Sequence, residues 1–146
     1  MTDFPLDPRL AADCVILGET RLSLLLLMNN SLVPWFILVP RRNETELFEL
    51  DKEDQLELLE EINLLSEFLK NSCKAEKLNV AAIGNIVRQL HVHVIGRNST
   101  DFRWPNVVWG AAEKTPYSSA EIAAILDVLQ GCLPAGVFRR TWSAGH

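Results

Sequence analysis

The feature that most constrains this chain is a strict alternation of polar and apolar side chains over residues 89–94. One set is apolar: Leu90, Val92 and Val94. The other set is polar: Gln89, His91 and His93. Because side chains alternate between the two faces of a strand, the pattern predicts a β-strand whose apolar set enters the core. Both imidazoles then share one face, with α-carbons about 6.6 Å apart at a rise of ~3.3 Å per residue.

Hydrophobic periodicity elsewhere predicts three helices. A short helix is expected to begin at Pro8 and to end near Gly18, because apolar residues recur there at three-to-four spacing. The same periodicity over residues 52–72 predicts a long amphipathic helix with a charged outer face. Ser118, followed three positions later by glutamate, is typical of a capping box and begins a last helix that ends near Gly131.

Short apolar runs predict the strands. Runs at residues 21–28 and 35–39 flank a polar turn at residues 29–31, which predicts a β-hairpin, although the leucine-rich first run also fits a buried helical segment. Two further strands are expected at residues 78–83 and 90–95. Short connections favour antiparallel pairing, so the expected fold class is α+β, a largely antiparallel β-sheet with a long helix and flanking helices.

Length and charge limit the organisation and the partners. A chain of 146 residues is typical of a single domain. Fourteen Lys and Arg residues against nineteen Asp and Glu residues give a net charge of −5. An acidic chain is poorly suited to the backbone of long nucleic acids, but a single nucleotide in a local pocket remains compatible.

Three features predict a soluble cytoplasmic protein. The three cysteines, Cys14, Cys73 and Cys132, are far apart and show no paired spacing, which is typical of free thiols in a reducing compartment. The N-terminus carries acids and prolines rather than the basic and apolar regions of a signal peptide. The longest apolar run, residues 24–28, is far shorter than the ~20 residues of a membrane helix.

Two imidazoles on one strand face allow several kinds of chemistry. One neutral ring can attack as a nucleophile while the other donates a hydrogen bond to a phosphate oxygen or a leaving group. Backbone amides at Gly84 and Asn85 can help to hold an anion, and Arg88 and Arg97 flank the segment. A metal site and a purely structural strand stay open, although zinc sites usually need a third or fourth ligand. The tryptophans at positions 35, 104, 109 and 142 suit packing better than base stacking.

The frame Gln89-Leu90-His91-Val92-His93-Val94-Ile95 resembles the signature of the histidine triad (HIT) superfamily of nucleotide hydrolases and transferases, His-φ-His-φ-His-φ-φ with φ apolar. All apolar positions agree. The resemblance extends over about residues 20–110, which it implies as the core of a single domain over residues 1–146, with a C-terminal helical extension at about 111–146. It includes Asn29 before a strand that ends in Pro-Arg-Arg, the long helix that follows, Gly84-Asn85, and the later Trp104-Pro105.

The resemblance implies a mechanism and a site. His91 would attack the α-phosphate and form a nucleotidyl–histidine intermediate, and His93 would hydrogen-bond the phosphate or the leaving group. Gln89 would complete the catalytic set in place of the first histidine. Dinucleoside polyphosphates and nucleoside phosphoramidates are the implied substrates, no metal or other cofactor is implied, and a homodimer is expected. The predicted nucleotide-binding residues are Asn29, which would contact ribose, and Gly84, Asn85 and Arg97.

The chain departs from the family pattern at two positions. Gln89 replaces the first triad histidine, and Asn43 stands near the place of a further histidine found in some branches. Glutamine donates and accepts hydrogen bonds but carries no proton or charge. The alternative function is therefore a catalytically weak or inactive nucleotide-binding HIT protein. Under the enzyme hypothesis, Gln89→His is expected to keep or raise turnover because it restores the family pattern.

Overall fold

A single antiparallel sheet of six strands organises the computed structural model, which describes residues 4–145. The strands are β1 (Cys14–Thr20), β2 (Ser23–Met28), β3 (Trp35–Pro40), β4 (Lys77–Ala81), β5 (Val92–Arg97) and β6 (Phe138–Arg140). The helices are α1 (Pro8–Asp13), α2 (Lys52–Asn71) and α3 (Ser119–Cys132), with a 3₁₀ turn at Leu47–Glu49. The strand order is β4-β5-β3-β2-β1-β6, and the expected α+β fold is confirmed.

The central strands are buried on both faces. In β2, Leu25 and Leu27 pack into the cluster that contains the apolar sides of α2 and α3. Leu24 and Leu26 pack into a second cluster on the opposite face, together with Leu10 of α1. A strand covered on both sides needs no polar alternation. This double burial explains why the leucine-rich run forms a strand although its periodicity also fits a helix.

The two longer helices begin where the sequence predicts. The side chain of Asp51 accepts a hydrogen bond from the backbone amide of Asp54 at 2.8 Å and so caps α2. Ser118 and Glu121 exchange both bonds of a capping box at the start of α3. These contacts satisfy amides that lack partners in the first helical turn.

The prediction of a helix that continues to Gly18 is wrong. α1 ends at Asp13, and the chain continues as β1 between β2 and β6. Cys14 and Leu17 belong to clusters on opposite faces of the sheet, so their spacing reflects double burial rather than helical periodicity. A Cβ at Gly18 would lie 2.2 Å from the carbonyl oxygen of Arg139, so this glycine permits the close approach of β6.

The segment between β4 and β5 leaves the ladder earlier than expected. β4 ends at Ala81, and residues 82–91 form a loop without regular structure, here named the 82–91 loop. β5 begins only at Val92, so His91 is the last residue of that loop. Within residues 4–145, no helix combines the length and apolar character needed to cross a membrane.

Candidate active site

His93 is the second residue of β5, an inner strand of the sheet, and His91 is the last residue before that strand. β5 pairs with β3 and β4, which places His93 opposite Ile37 on one side and Ala81 on the other. The two ring centroids are 5.1 Å apart. Only 7% of His91 and 6% of His93 is exposed. The structure therefore brings the two rings together, but it buries them more deeply than a strand face open to solvent would.

A main-chain contact defines the tautomer of His91. Its Nδ1 lies 2.7 Å from the carbonyl oxygen of Gln89. A carbonyl oxygen only accepts hydrogen bonds, so Nδ1 must carry the proton that forms this contact. In the neutral ring, Nε2 then holds an unshared electron pair. This assignment gives His91 the form that a nucleophile requires.

An indole contact assigns the opposite tautomer to His93. The Nε1–H of Trp35 donates to Nδ1 of His93 at 2.9 Å. Because an indole nitrogen only donates, Nδ1 is unprotonated and the proton of the neutral ring lies on Nε2. Burial, and secondarily the neighbouring His91, lowers the pKa of His93 from its ordinary value of 6.5 to about 4. His93 is therefore neutral at pH 7 and offers Nε2–H as a donor.

Two tryptophans surround His93. The ring of Trp35 lies 5.8 Å from the His93 ring, and Trp109 meets the same imidazole edge-on at 5.3 Å between centroids. The sequence analysis predicted only a packing role for both tryptophans and no contact with His93. The contact follows from the pairing of β3 with β5, which no sequence pattern predicted. Trp35 pairs with Ile95 and Ile37 with His93, which makes Trp35 and His93 diagonal neighbours on one face.

The side chain of Gln89 contacts the N-terminal segment. Its Nε2 donates to the carbonyl oxygen of Pro5 at 2.8 Å, and its Oε1 accepts from the backbone amide of Asp7 at 2.8 Å. Nearby, the guanidinium of Arg9 donates to the carbonyl oxygen of Ile86 at 2.9 Å. These partners are 77 to 84 residues apart in the sequence, and no periodic pattern marks such contacts.

A cavity of about 590 Å³ adjoins His91. Residues 45–48 line one side, and the 82–91 loop lines the other, ending at His91. Gly84 and Asn85 belong to this lining, so two of the predicted nucleotide-binding residues lie in the same cavity as His91. Gly84 has a φ of +69°, a left-handed conformation that favours glycine. The charged side chains of the lining are the exposed cation Arg88 and the carboxylate Glu46.

Arg97 lies away from this cavity, in the interior of the protein. Only 2% of it is exposed, and four of its five N–H groups are bonded within the protein. Its guanidinium forms an ion pair with Asp101 at 2.8 Å. The remaining bonds reach the Asn79 side chain and the carbonyl oxygen of Asn106. A nucleotide could contact this arginine only if several of these bonds were broken.

Asn29 lines a different cavity from His91, together with Cys14 and Tyr117. Its side-chain oxygen accepts a hydrogen bond from the backbone amide of Tyr117 at 2.8 Å. In the structure, this residue therefore connects the end of β2 to the segment that leads into α3. The predicted contact between Asn29 and ribose stays a prediction.

The metal alternative depends on the same two imidazoles. In the part of the chain that the structure describes, no three His, Cys, Asp or Glu side chains are grouped so that they could hold a metal ion. Nε2 of His93 carries its proton while Trp35 donates to Nδ1. A metal at that nitrogen would therefore require the indole contact to break.

Solved structures of similar sequence share the whole fold. A histidine triad protein from Marinobacter aquaeolei is 46% identical, with a TM-score of 0.84 over 89% of this chain and 96% of that one. A histidine triad (HIT) protein from Sinorhizobium meliloti is 44% identical, with a TM-score of 0.86 over 91% and 99%. A histidine triad protein from Bradyrhizobium japonicum is 38% identical, with a TM-score of 0.84 over 88% and 97%. The comparison with curated proteins finds no match.

An antiparallel sheet with paired imidazoles at the start of an inner strand defines a domain of the histidine triad type. Residues 9–100 match the HIT domain family. The chain belongs to this family. Membership supports, in general terms, a nucleotide-binding hydrolase or transferase.

Proposed function

We propose that this protein transfers a nucleoside monophosphate group from a nucleotide conjugate to His91 and then to water. The conjugate would be a dinucleoside polyphosphate or a nucleoside phosphoramidate, attacked at its α-phosphorus. The observation that carries the proposal is the opposite tautomers of the two adjacent rings, with an electron pair on Nε2 of His91 and a proton on Nε2 of His93. These are the two forms that nucleophilic attack and hydrogen-bond donation need.

In the first step, Nε2 of His91 forms a bond to the α-phosphorus. The bond from phosphorus to the leaving group breaks, and its electron pair departs with that group. A polyphosphate leaves as an anion, whereas an amine takes up a proton from water. The Nε2–H of His93 would donate to the departing atom or to a phosphate oxygen, which stabilises the charge that develops there.

The charges of the two rings support this assignment. Once Nε2 of His91 bonds to phosphorus, the ring keeps its Nδ1 proton and becomes cationic. The carbonyl of Gln89 then accepts a hydrogen bond from a charged donor, which strengthens the contact. His93 stays neutral because burial lowers its pKa to about 4. A neutral neighbour 5.1 Å away avoids repulsion with the cationic intermediate.

In the second step, water attacks the phosphorus and the bond to His91 breaks. The electron pair of that bond returns to Nε2, and the proton of the attacking water passes to solvent. The products are a nucleoside monophosphate and the original tautomer of His91. The cavity beside His91, with its Gly84 amide and the Arg88 cation, would hold the substrate's phosphates.

Trapping the intermediate tests the proposal. Wild-type protein incubated with a dinucleoside polyphosphate labelled at the α-phosphorus is expected to acquire an acid-labile label. His91→Ala is expected to acquire none, whereas Gln130→Ala, an exposed change on α3, should label like the wild type. The proposal fails if the wild type acquires no label and turns over neither polyphosphates nor phosphoramidates.

Nucleotide binding without turnover is the second candidate function. The near-complete burial of both rings favours it, because an α-phosphorus must reach Nε2 of a histidine that is only 7% exposed. Isothermal titration with nucleoside monophosphates separates the two functions. Tight binding, together with the absence of label on His91, would support the binding protein over the enzyme.

The assembly and compartment are further proposals. We expect a homodimer in the cytoplasm, from the family resemblance and from three cysteines that are free in the structure. The outer edge of β4 would suit a second copy, because it lies at the edge of the sheet and Val80 is 46% exposed. Analytical ultracentrifugation tests the dimer: a monomer at micromolar concentration would contradict it.

A further inference from the structure

The side chain of Gln89 joins two distant parts of the chain. It donates one hydrogen bond to Pro5 and accepts one from Asp7. We propose that Gln89 is a positioning residue, which fastens an N-terminal strap, residues 4–13, to the 82–91 loop and thereby holds His91 in its reactive tautomer. This inference deepens the proposed function and rests on it, since it assigns a controlling contact to the same site.

Several contacts hold the strap independently of Gln89. Arg9 donates from the strap to the carbonyl oxygen of Ile86 in the 82–91 loop. Leu10 is only 5% exposed and belongs to the apolar cluster beneath the sheet, against which Phe4 and Leu6 also pack. The strap is therefore a docked segment, whose apolar side chains pack into that cluster and whose residues Pro5, Asp7 and Arg9 bond to the loop.

The contacts with the strap matter for the 82–91 loop because the hydrogen bonds of the sheet do not hold this part of the chain. β5 begins at Val92, so the peptide group of Gln89 lies outside the strand ladder. Its carbonyl oxygen nevertheless accepts the hydrogen bond that fixes the proton of His91 on Nδ1. One residue thus binds the strap through its side chain and the nucleophile through its main chain. Movement of the strap would reach that carbonyl directly through Gln89, in addition to any effect on the loop through the contact of Arg9 with Ile86.

The chemistry of a primary amide explains why glutamine suits this position. Its oxygen and nitrogen lie side by side, and they match the carbonyl of Pro5 and the amide of Asp7 as a neighbouring strand would. The two nitrogens of an imidazole point in diverging directions and cannot reproduce both bonds. The geometry therefore reverses the expectation from the sequence: Gln89→His should lower turnover rather than restore it.

The test measures the strap and the tautomer separately from activity. Gln89→Met keeps a side chain of similar length but removes both hydrogen bonds, and Gln130→Met repeats the change at an exposed site. Gln89→Glu keeps the acceptor for Asp7 and loses the donor to Pro5. It serves as a second variant if the methionine variant does not fold. Hydrogen exchange at the Asp7 amide reports the strap, and imidazole ¹⁵N shifts report which nitrogen of His91 is protonated.

In Gln89→Met, the Asp7 amide should exchange at least about tenfold faster, the shift expected when one hydrogen bond of ordinary strength is lost. The ¹⁵N shifts of His91 should move toward a mixture of tautomers, and kcat should fall more than KM rises. Unchanged exchange at Asp7, or faster exchange with an unchanged His91 tautomer, would overturn the inference. If the wild type turned over no nucleotide, the proposed function would fail while the exchange and ¹⁵N results would still decide the role of the strap.

Discussion

The two ends of β5 bury polar groups in contrasting ways. At its start, His91 and His93 each use Nδ1 within the protein and keep Nε2 available. At its end, Arg97 uses four of its five N–H groups, two of them on Asp101. Both groups are almost wholly buried. Burial alone therefore does not distinguish the two ends. They differ in whether a bonding position is left open, and at His91 that position belongs to a residue that lines a cavity.

Removal of the nucleophile should give the largest effect. His91→Ala is expected to lower turnover of a dinucleoside polyphosphate by about 10⁴-fold or more, because loss of a covalent nucleophile removes the whole route. Steady-state release of nucleoside monophosphate measures it, with the thermal unfolding midpoint as a control for folding. A folded variant that retained most of its turnover would show that another group attacks phosphorus.

At the other end of β5, the expected effect is on stability. Asp101→Asn leaves the buried guanidinium of Arg97 without its charge partner and should lower the free energy of unfolding by about 3–5 kcal/mol. Urea denaturation measures the loss. Glu67→Gln, an exposed carboxylate on α2 changed in the same way, should lower it by less than about 0.5 kcal/mol. Equal losses in the free energy of unfolding of the two variants would show that the buried ion pair at the end of β5 contributes no more than a surface carboxylate.

Acid should affect the two ends in different pH windows. Burial lowers the pKa of His93 to about 4, so between pH 6.5 and 4 only the unfolded chain takes up a proton there. Stability should fall by about 3 kcal/mol as pH decreases through that window. His93→Asn, whose oxygen can still accept from Trp35, should show no such fall. Urea denaturation of both proteins at several pH values measures the difference, and parallel curves would contradict the assignment.

Asp101 defines the second window. The hydrogen bonds from Arg97 lower the pKa of this carboxyl from 3.8 to about 2. The stability that the carboxylate provides is therefore complete above pH 3.8 and is lost as pH falls toward 2. The contributions of the two ends of β5 can thus be separated by pH.

The smallest effect concerns the contact that orients His93. Trp35→Phe keeps an aromatic ring but removes the N–H donor to Nδ1. His93 can then protonate either nitrogen, and turnover should fall about tenfold, the equivalent of one hydrogen bond of ordinary strength. Steady-state turnover measures the effect, and ¹⁵N shifts of His93 should change with it. Unchanged turnover with a changed tautomer would show that the proton on Nε2 does not contribute.

Local patterns predicted much of the fold and the central pair of the candidate site. The capped helices α2 and α3 and the hairpin of β2 and β3 follow from periodicity and capping residues near in sequence. The strand that forms from residues 14–20 was missed, because burial on both faces erases the alternation that identifies a strand. Pairing between β1 and β6 joins residues about 120 apart, which no local pattern encodes.

The candidate site likewise combines features that a local pattern predicts with features that depend on distant parts of the chain. The alternation around His91 and His93 predicted two adjacent rings, and the structure places their centroids 5.1 Å apart. Their tautomers, however, depend on a carbonyl and on Trp35, whose positions follow from tertiary structure. The prediction of Arg97 as a nucleotide contact relied on nearness in sequence. It took no account of Asp101, which forms a buried ion pair with the guanidinium of Arg97.

The packing of Trp35 and Trp109 around His93 gives the protein an internal optical reporter. An excited indole loses emission to a protonated imidazole, which accepts an electron more readily than a neutral one. With two of the four tryptophans beside His93, intrinsic fluorescence should stay level as a solution is acidified past pH 6 and dim only near pH 4. The protonation of the His93 imidazole can therefore be followed by intrinsic tryptophan fluorescence, without substrate or label.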